Sequence, residues 1–259
     1  MSAFILKLLA MSTMLIDHIS IAFLNNNMPM RNVGRLAFII YAFLMAEAFY
    51  HLRQNPPVMK RHILKLLSLC LITEIPFDYF EFGTWHDWTA QSVLPTLTLG
   101  YTALVLSDAW LQESRRQQIR SRIVGIIGSV ATCLIAAITT YQIHSEYVFG
   151  GVLLIVMFYL YLRKADEMNL PMRLICLELI CTEYLVVYIW ARADFGDLNA
   201  VLYTLSWFKE YCPGIILSFI PLAFYNRELG YYRKWFSVLY SLFYPLQFVV
   251  LVIVRDVIM

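Results

Sequence analysis

Residues 3–24 read AFILKLLAMSTMLIDHISIAFL, an apolar stretch whose second half contains the adjacent ionisable residues Asp17 and His18. About 20 apolar residues are enough for an α-helix to cross the hydrocarbon core of a bilayer. Because Asp17 and His18 interrupt the apolar run and no small-residue cleavage site follows it, we expect a retained transmembrane helix rather than a signal peptide. This stretch therefore predicts a helical membrane protein whose first span carries ionisable groups.

Similar apolar stretches recur along the whole chain. Of its 259 residues, 60% are hydrophobic and 15% are charged, whereas a typical soluble domain has about 25% charged residues. We predict one all-α transmembrane domain over residues 1–259 with nine spans. The apolar piece 198–208 is interrupted by Lys209, Glu210 and Pro213 and is expected to be interfacial or re-entrant, which leaves counts of eight or ten open. The predicted spans are 3–24, 34–52, 61–82, 93–111, 120–141, 147–162, 171–190, 211–225 and 235–254.

Lysine and arginine residues mark one side of the membrane. Fourteen of the 20 lie on every second connection between the predicted spans, and cytoplasmic loops hold the excess of positive charge. We therefore expect a multi-pass protein of the bacterial cytoplasmic (inner) membrane, with a cytoplasmic N-terminus and an extracytoplasmic C-terminus. The net charge of +2 is too small for a surface that follows nucleic-acid phosphates, which excludes nucleic acid as a partner.

Five ionisable residues inside the predicted spans are candidates for a site, and all five fall towards the extracytoplasmic half. They are Asp17, His18, Arg35, Glu74 and Asp78. A charge near the bilayer centre is costly unless it is paired or hydrated, so such residues are candidates for function. Two interpretations stay open. Either an imidazole acts as a base near neutral pH, or His18 donates to a neighbouring helix and Asp17 pairs with Arg35.

The remaining polar residues indicate no specific chemistry. The histidines lack the HxxxH or HExxH spacing of a metal site, so we expect no metal. The five cysteines fall in or beside apolar stretches without a CxxC pair, and we interpret them as packing residues. Motifs for a nucleophile elbow, a phosphate loop or a dinucleotide are absent from the sequence. Taken alone, the residues predict a membrane protein with a polar site near its outer face.

Several blocks of the chain, in order, resemble the TraX family of membrane proteins, which is named for the pilin acetylase of conjugation systems. The family patterns are MLIDHI, GRxAFPIFAF, SEIPFD, YNGxxG and FYPLH. Here residues 14–19 read MLIDHI, 34–38 read GRLAF, 73–78 read TEIPFD, 225–230 read YNRELG and 243–247 read FYPLQ. The chain departs from the family in Ile39 for proline, Ala48 for glycine and Gln247 for the last histidine. Glutamine can still donate and accept hydrogen bonds, but an essential histidine there would make this chain a divergent or inactive member.

The resemblance implies transfer of an acetyl group from acetyl-CoA to an amine or hydroxyl acceptor, at or across the membrane. It implies that His18 is the general base and that Asp17 and Glu74 hold its protonation state or the acceptor. Arg35 is expected to pair with Asp78 or to contact an anionic part of a substrate. Candidate donors to the oxyanion are Arg35, Asn32 and Gln247. Candidate ligands of the CoA phosphates are the cytoplasmic cations Arg53, Lys60, Arg61, Arg115 and Arg116.

The partners implied are membrane lipid, acyl-CoA and an acceptor, which is a protein N-terminus, a glycan or a small molecule. Two other functions remain open at this point. One is a proton-coupled small-molecule transporter in which Asp17, His18 and Glu74 relay protons, and the other is an inactive membrane scaffold. Dependence on a thioester distinguishes the enzyme from both.

Overall fold

The protein is all-α in residues 1–116, 119–192 and 213–258, which are the residues that the structure, a computed structural model, describes. This confirms the predicted fold class, since the described residues contain one isolated β-bridge, Gln91 to Ser145, and no strand. The helices are α1 (Ala3–Phe23), α2 (Met28–Leu52), α3 (Pro56–Phe82), α4 (Val93–Arg116), α5 (Ile119–Gln142), α6 (Val148–Lys164), α7 (Leu170–Arg192), α8 (Phe219–Ala223) and α9 (Lys234–Ile258). A 3₁₀ turn, Ala165–Glu167, follows α6.

Local sequence signals explain where α2 and α3 begin and end. Asn27 and Asn55 cap the two helices, and their side-chain oxygens accept from the backbone N–H groups of Met30 and Val58. Proline follows each cap in the first turn, where its missing N–H group leaves no hydrogen bond unmade. Gly83 ends α3 with a φ of +71°, a left-handed conformation that favours glycine.

Five helical segments of the described residues are long and apolar enough to cross a membrane. They are Ala3–Phe23, Met28–Leu52, Arg122–Gln142, Val148–Glu167 and Lys234–Val257. Helices α3, α4 and α7 coincide with predicted spans but are less apolar, so the predicted count of nine is not confirmed. The span expected at 211–225 corresponds to a short apolar helix, Pro213–Ala223. The interfacial piece expected at 198–208 lies outside the described residues.

Helix α5 shows most clearly that the bundle faces lipid. Eight of its large aliphatic side chains are more than half exposed: Ile123, Val124, Ile126, Ile127, Val130, Leu134, Ile135 and Ile138. Soluble monomers rarely expose a contiguous apolar surface of this kind, whereas a bilayer solvates it. The exposed surface of α5 and the five apolar segments together identify a helical membrane protein.

Helix α2 lies at the centre of the bundle, packed against α1, α3, α4 and α6. Its aromatic side chains provide much of this contact. Phe43 packs edge to face on Phe158 of α6, with ring centroids 5.4 Å apart, and Phe49 packs in the same way on Tyr159 at 5.0 Å. Helix α9 covers the other side of α1 and also packs against α3. The first two helices are therefore enclosed by the rest of the bundle.

The connections between helices gather at two ends. We call the end with connections 24–27, 83–92 and 143–147 the site end, because the predicted polar residues lie there. Two backbone hydrogen bonds join its loops, from Gln91 N to His144 O at 3.0 Å and from Glu146 N to Gln91 O at 3.1 Å. The opposite end contains connections 53–55, 165–169 and 224–233. There Ala3 N donates to Glu228 O at 2.8 Å.

Candidate functional site

Asp17 lies where α1 and α2 come closest together. A Cβ atom on Gly34 would lie only 2.2 Å from the Cβ atom of Asp17, so glycine is required at this crossing. Asp17 is 8% exposed, and its Oδ1 atom forms an ion pair with Nη1 of Arg31 at 3.2 Å. Arg35, the partner expected from the sequence, lies one turn further along α2 and acts on Asp17 through its charge. Arg31 is a site residue that the sequence analysis missed.

Arg35 is buried, with 5% of its surface exposed, and it joins α2 to the connection between α5 and α6. Its Nη1 atom lies 3.5 Å from Oε1 of Glu146 and donates to the hydroxyl group of Tyr147 at 3.3 Å. The Tyr147 ring stacks on Phe38 with centroids 3.5 Å apart. The expected pair of Arg35 with Asp78 is replaced by this contact with Glu146. The sequence feature that could have identified Glu146 is its position as the single acidic residue of the short 143–147 connection, next to Tyr147.

His18 lies one residue further along α1, in an aromatic surrounding. Its ring centroid is 4.7 Å from that of Phe248, 5.8 Å from Phe80 and 6.3 Å from Tyr244. The Nδ1 atom is buried and has no hydrogen-bond partner among the described residues. Arg31, Arg35 and Glu146 all act on the ring through their charges. The imidazole is therefore a proton acceptor held in an apolar wall beside charged groups.

Gln247 is the second buried polar side chain in this wall. It is 4% exposed and lies within interaction range of the His18 ring. Neither its Oε1 nor its Nε2 atom forms a hydrogen bond of good geometry within the described part of the chain. Buried amides are normally hydrogen-bonded. His18 and Gln247 together thus offer donors and acceptors that a bound molecule can satisfy.

Glu74 is directed to the start of α4 rather than to His18. Its Oε1 atom accepts from the Ser92 hydroxyl group at 2.6 Å, and its Oε2 atom accepts from Ser92 N at 3.3 Å. Backbone N–H groups at the beginning of a helix lack partners within the helix and need such acceptors. Glu74 therefore anchors α4, which corrects the expectation that it lies with Asp17 and His18.

Asp78 anchors the 83–92 loop in the same way. Its Oδ2 atom accepts from Asp87 N at 3.0 Å and lies 3.8 Å from Nδ1 of His86. Within the loop, the backbone N–H and the hydroxyl group of Thr89 donate to Asp87, and these hydrogen bonds lower the pKa of the Asp87 carboxyl. Of the five polar residues predicted to cluster, Glu74 and Asp78 thus have partners in the 83–92 connection, whereas Asp17 and Arg35 have partners on α2 and in the 143–147 connection.

Besides Asp17 and Glu146, a third carboxylate belongs to this region, and the sequence analysis missed it. Glu81 lies three residues beyond Asp78 on α3, and its charge interacts with those of Glu146, Arg31, Asp17 and Arg35. We call Asp17, Arg31, Arg35, Glu81 and Glu146 the charged cluster. It brings together residues of α1, α2, α3 and the 143–147 connection at the site end, beside His18.

The other predicted binding residues are placed elsewhere. Asn32 Oδ1 accepts from Gly214 N at 3.2 Å, so Asn32 joins α2 to the 213–223 segment. Arg53 donates from Nη1 to the Tyr159 hydroxyl group at 3.1 Å. Lys60 and Arg61 are exposed at the start of α3. The side chains of Arg115 and Arg116 lie outside the described residues.

An internal cavity of about 200 Å³ lies between α1, α2, α3, α4 and α9. Its lining includes three residues that the sequence analysis did not select, Lys7, His62 and Lys65, near the opposite end. Tyr244, which contacts His18, lines the cavity near the site end. In the described residues, no group of three His, Cys, Asp or Glu residues is arranged to hold a metal ion.

The comparison with known proteins covers nearly the whole chain. A family model described as TraX protein matches residues 2–255, a range that contains the charged cluster, His18, Gln247 and every residue of the cavity. No curated protein and no solved structure matches the chain. The chain belongs to the TraX family.

Proposed function

We propose that this protein is an integral membrane acetyltransferase that moves an acetyl group from acetyl-CoA to an amine or hydroxyl acceptor. The observation that carries the proposal is the His18 imidazole, whose Nδ1 atom is buried without a partner in the described residues, beside the charged cluster. A base in this position can take a proton from a nucleophile. Membership of a family linked to pilin acetylation supports acetyl transfer as the reaction.

In the proposed step, His18 takes the proton from the O–H or N–H group of the acceptor as the acceptor atom bonds to the acetyl carbonyl carbon. The resulting tetrahedral oxyanion collapses and the C–S bond breaks. The proton passes from His18 to the leaving sulfur, so the products are the acetylated acceptor and CoA thiol. Gln247 can donate from Nε2 to the oxyanion, because this amide is buried beside His18 and unpartnered in the described residues.

The charged cluster has a supporting role in this proposal. Arg31 is held by Asp17 and Arg35 by Glu146, so both guanidinium groups are fixed near the imidazole. Fixed charges stabilise a developing charge better than mobile ones, since they need no reorganisation during the reaction. Asp17 acts here through Arg31 and is a positioning residue, whereas Glu74 holds the start of α4 through Ser92.

We place the protein in a bacterial inner membrane with the N-terminus in the cytoplasm, because positive charge alternates between connections. The site end then faces outwards and the opposite end faces the cytoplasm. The test is a cysteine at position 86, an exposed residue of the 83–92 loop, in a background without native cysteines. A membrane-impermeant reagent should label it on intact cells. Labelling only after the inner face is opened would reverse the orientation.

Calorimetry and an assay of thioester cleavage test whether acetyl-CoA is the acetyl donor. Purified protein should bind acetyl-CoA 1:1, with an affinity that falls as salt screens the phosphates. Released CoA is measured by chromatography, because the protein has five cysteines, and those in the described residues, Cys70, Cys133, Cys176 and Cys181, are free and would react with a thiol reagent. Folded protein that neither binds acetyl-CoA nor cleaves it contradicts the proposal and favours a proton-coupled transporter.

A further inference from the structure

The side chains that line the cavity change in chemical character from one end of the cavity to the other. Near the opposite end its wall carries the basic side chains Lys7, His62 and Lys65. Apolar side chains follow, and the cavity ends near Tyr244 and Met14. Met14 lies one helical turn before His18 on α1, and the Tyr244 ring is 6.3 Å from the His18 ring. The cavity thus leads from a basic entrance to the layer of side chains next to His18.

The basic entrance, which is formed by Lys7, His62 and Lys65, has no carboxylate ion-pair partner in the described residues. Lys7, His62 and Lys65 act on one another through their charges, and neither lysine forms an ion pair with a carboxylate in the described residues. Glu47 is the acid whose charge reaches Lys7, and its Oε1 atom already accepts from the Tyr225 hydroxyl group at 2.6 Å. Like charges that converge from two helices repel each other, so an anion at this entrance is favoured.

The cavity wall also holds polar atoms without partners. The Tyr240 hydroxyl group and the Nε2 atom of His62 are buried and have no hydrogen-bond partner in the part of the chain that the structure describes. Both residues line the cavity. Buried polar groups are normally satisfied by protein or by a bound molecule. These two atoms therefore indicate an occupant with hydrogen-bonding groups rather than a purely apolar chain.

The dimensions fit a phosphopantetheine arm. Lys7 and His18 are eleven residues apart on α1, a rise of about 17 Å at 1.5 Å per residue. From phosphorus to sulfur the arm has roughly thirteen bonds, comparable to a little over four extended peptide residues or about 15 Å. A cavity of about 200 Å³ is smaller than the pockets of roughly 300–1,000 Å³ that enclose drug-sized ligands. It can hold the arm, while a nucleotide stays outside.

We propose that this cavity binds the phosphopantetheine arm of the acyl donor, with the phosphate between Lys7, His62 and Lys65 and the thioester beside Tyr244, next to His18. The inference rests on the proposed function and adds the route by which a donor from the opposite end reaches the site end. Tyr240 and His62 hydrogen-bond to the amide groups of the arm. The same arm occurs in CoA and on acyl carrier proteins, so both are possible sources.

Binding measurements with three thioesters test the site: acetyl-CoA, S-acetyl-4′-phosphopantetheine and S-acetylpantetheine, which lacks the phosphate. In Lys7→Gln/Lys65→Gln, affinity for the two phosphorylated ligands should fall by about tenfold or more, because charge-assisted hydrogen bonds are lost. Affinity for S-acetylpantetheine should change less than about twofold. The matched control is Lys234→Gln, which removes an exposed positive charge at the same end and should bind all three ligands like the wild type.

A second variant tests the cavity sterically and covers the case in which the double variant fails to fold. Ser241 lines the cavity and its hydroxyl group donates to Ser237 O within its own helix, α9, so Ser241→Phe places a ring in the space of the cavity without removing a hydrogen bond between helices in the described residues. Ser241→Phe should lower the affinity for all three thioesters and keep the melting temperature of the wild type. Lys65→Gln alone, at an exposed position, should show part of the loss for the phosphorylated ligands.

The outcomes separate the two proposals. If the wild type binds acetyl-CoA and both Lys7→Gln/Lys65→Gln and Ser241→Phe bind it equally well, the cavity is not the donor site, although the proposed function stands. If the wild type binds none of the thioesters, both proposals fail. Tighter binding of acetyl-CoA than of S-acetyl-4′-phosphopantetheine assigns free CoA as the source. Equal binding shows that recognition is confined to the arm, and acetyl transfer from acetyl-CoA compared with transfer from an acetylated acyl carrier protein then assigns the source.

Discussion

Two pairs of carboxylates at the site end have different partners. Asp17 and Glu146 face guanidinium groups, at 3.2 Å from Arg31 and 3.5 Å from Arg35. Glu74 accepts instead from the backbone and hydroxyl group of Ser92, and Asp78 accepts from Asp87 N. The first pair holds charge beside His18, and the second pair holds a loop and a helix start. Acidic residues at the same end of the bundle thus have different roles.

This comparison predicts different consequences for substitutions in the two regions. Residues around His18 should affect the acetyl-transfer rate or leave a buried charge without a partner. Residues that anchor the 83–92 loop should affect stability, and activity only through the folded fraction.

The largest effect is expected at His18 itself. His18→Ala should lower acetyl transfer by about 10²–10⁴-fold, the usual contribution of a general base, while acetyl-CoA still binds. The measurement is turnover together with thermal unfolding and calorimetry. Near-normal turnover in folded His18→Ala would disprove the assignment of His18 as the base. Lys234→Gln, at an exposed position of the opposite end, is the control variant and should turn over like the wild type.

Breaking the charged cluster should chiefly affect stability. Asp17→Asn leaves Arg31 without its carboxylate partner, and removal of one member of a buried pair costs about 3–5 kcal/mol in the free energy of unfolding. Denaturant unfolding measures this loss. The double variant Asp17→Asn/Arg31→Met should recover part of it, because no unpaired charge remains. If the double variant loses the sum of the two single effects, the ion pair contributes nothing.

Breaking the loop anchor should have a smaller effect. Glu74→Gln keeps one acceptor for Ser92 but loses the charge, so we expect a loss of no more than about 1.5–3 kcal/mol, the range for a hydrogen bond to a charged group. Transfer per folded molecule should remain, and Ser92→Ala should destabilise to a similar extent. A rate loss as large as that of His18→Ala would return Glu74 to the reaction and remove the contrast between the two regions.

The smallest effect is expected from Gln247→His, which restores the residue type of the family pattern. Both side chains can hydrogen-bond through nitrogen, and volume-conserving core exchanges usually cost less than about 1.5 kcal/mol. Thermal unfolding of the two forms tests this. A large loss of folded protein would show that the wall beside His18 is built around glutamine.

The sequence was most informative where the signal is local. The apolar stretches predict the long helices, because 20 apolar residues need only a bilayer to become a helix. The MLIDHI and GRLAF blocks were correctly selected together, since Gly34 permits the contact with Asp17. The predicted count of nine spans is not confirmed, because α3, α4 and α7 are not among the five helical segments of the described residues that are long and apolar enough to cross a membrane.

The sequence did not show which charged residues pair with one another. Arg31 and Arg35 lie four residues apart on one face of α2, and nothing in their neighbours along the chain shows which of them meets Asp17 and which meets Glu146. Glu146 stands alone in a five-residue connection, and Lys7 is more than 50 residues away from His62 and Lys65 in the chain. They share a cavity because α1 and α3 both border the space that α2, α4 and α9 also line.

The sequence by itself determined the all-helical membrane class and the presence of ionisable residues in the first span. Asn27 and Asn55 cap α2 and α3 locally, although the predicted spans begin later, at residues 34 and 61. These features follow from side-chain hydrophobicity, capping and composition, which act over a few residues. Only the tertiary structure decided that Glu74 and Asp78 anchor a loop, that Glu146 pairs with Arg35, and that a cavity leads towards His18. Those contacts depend on how each helix is rotated and crossed against its neighbours, and packing of the whole bundle sets these angles.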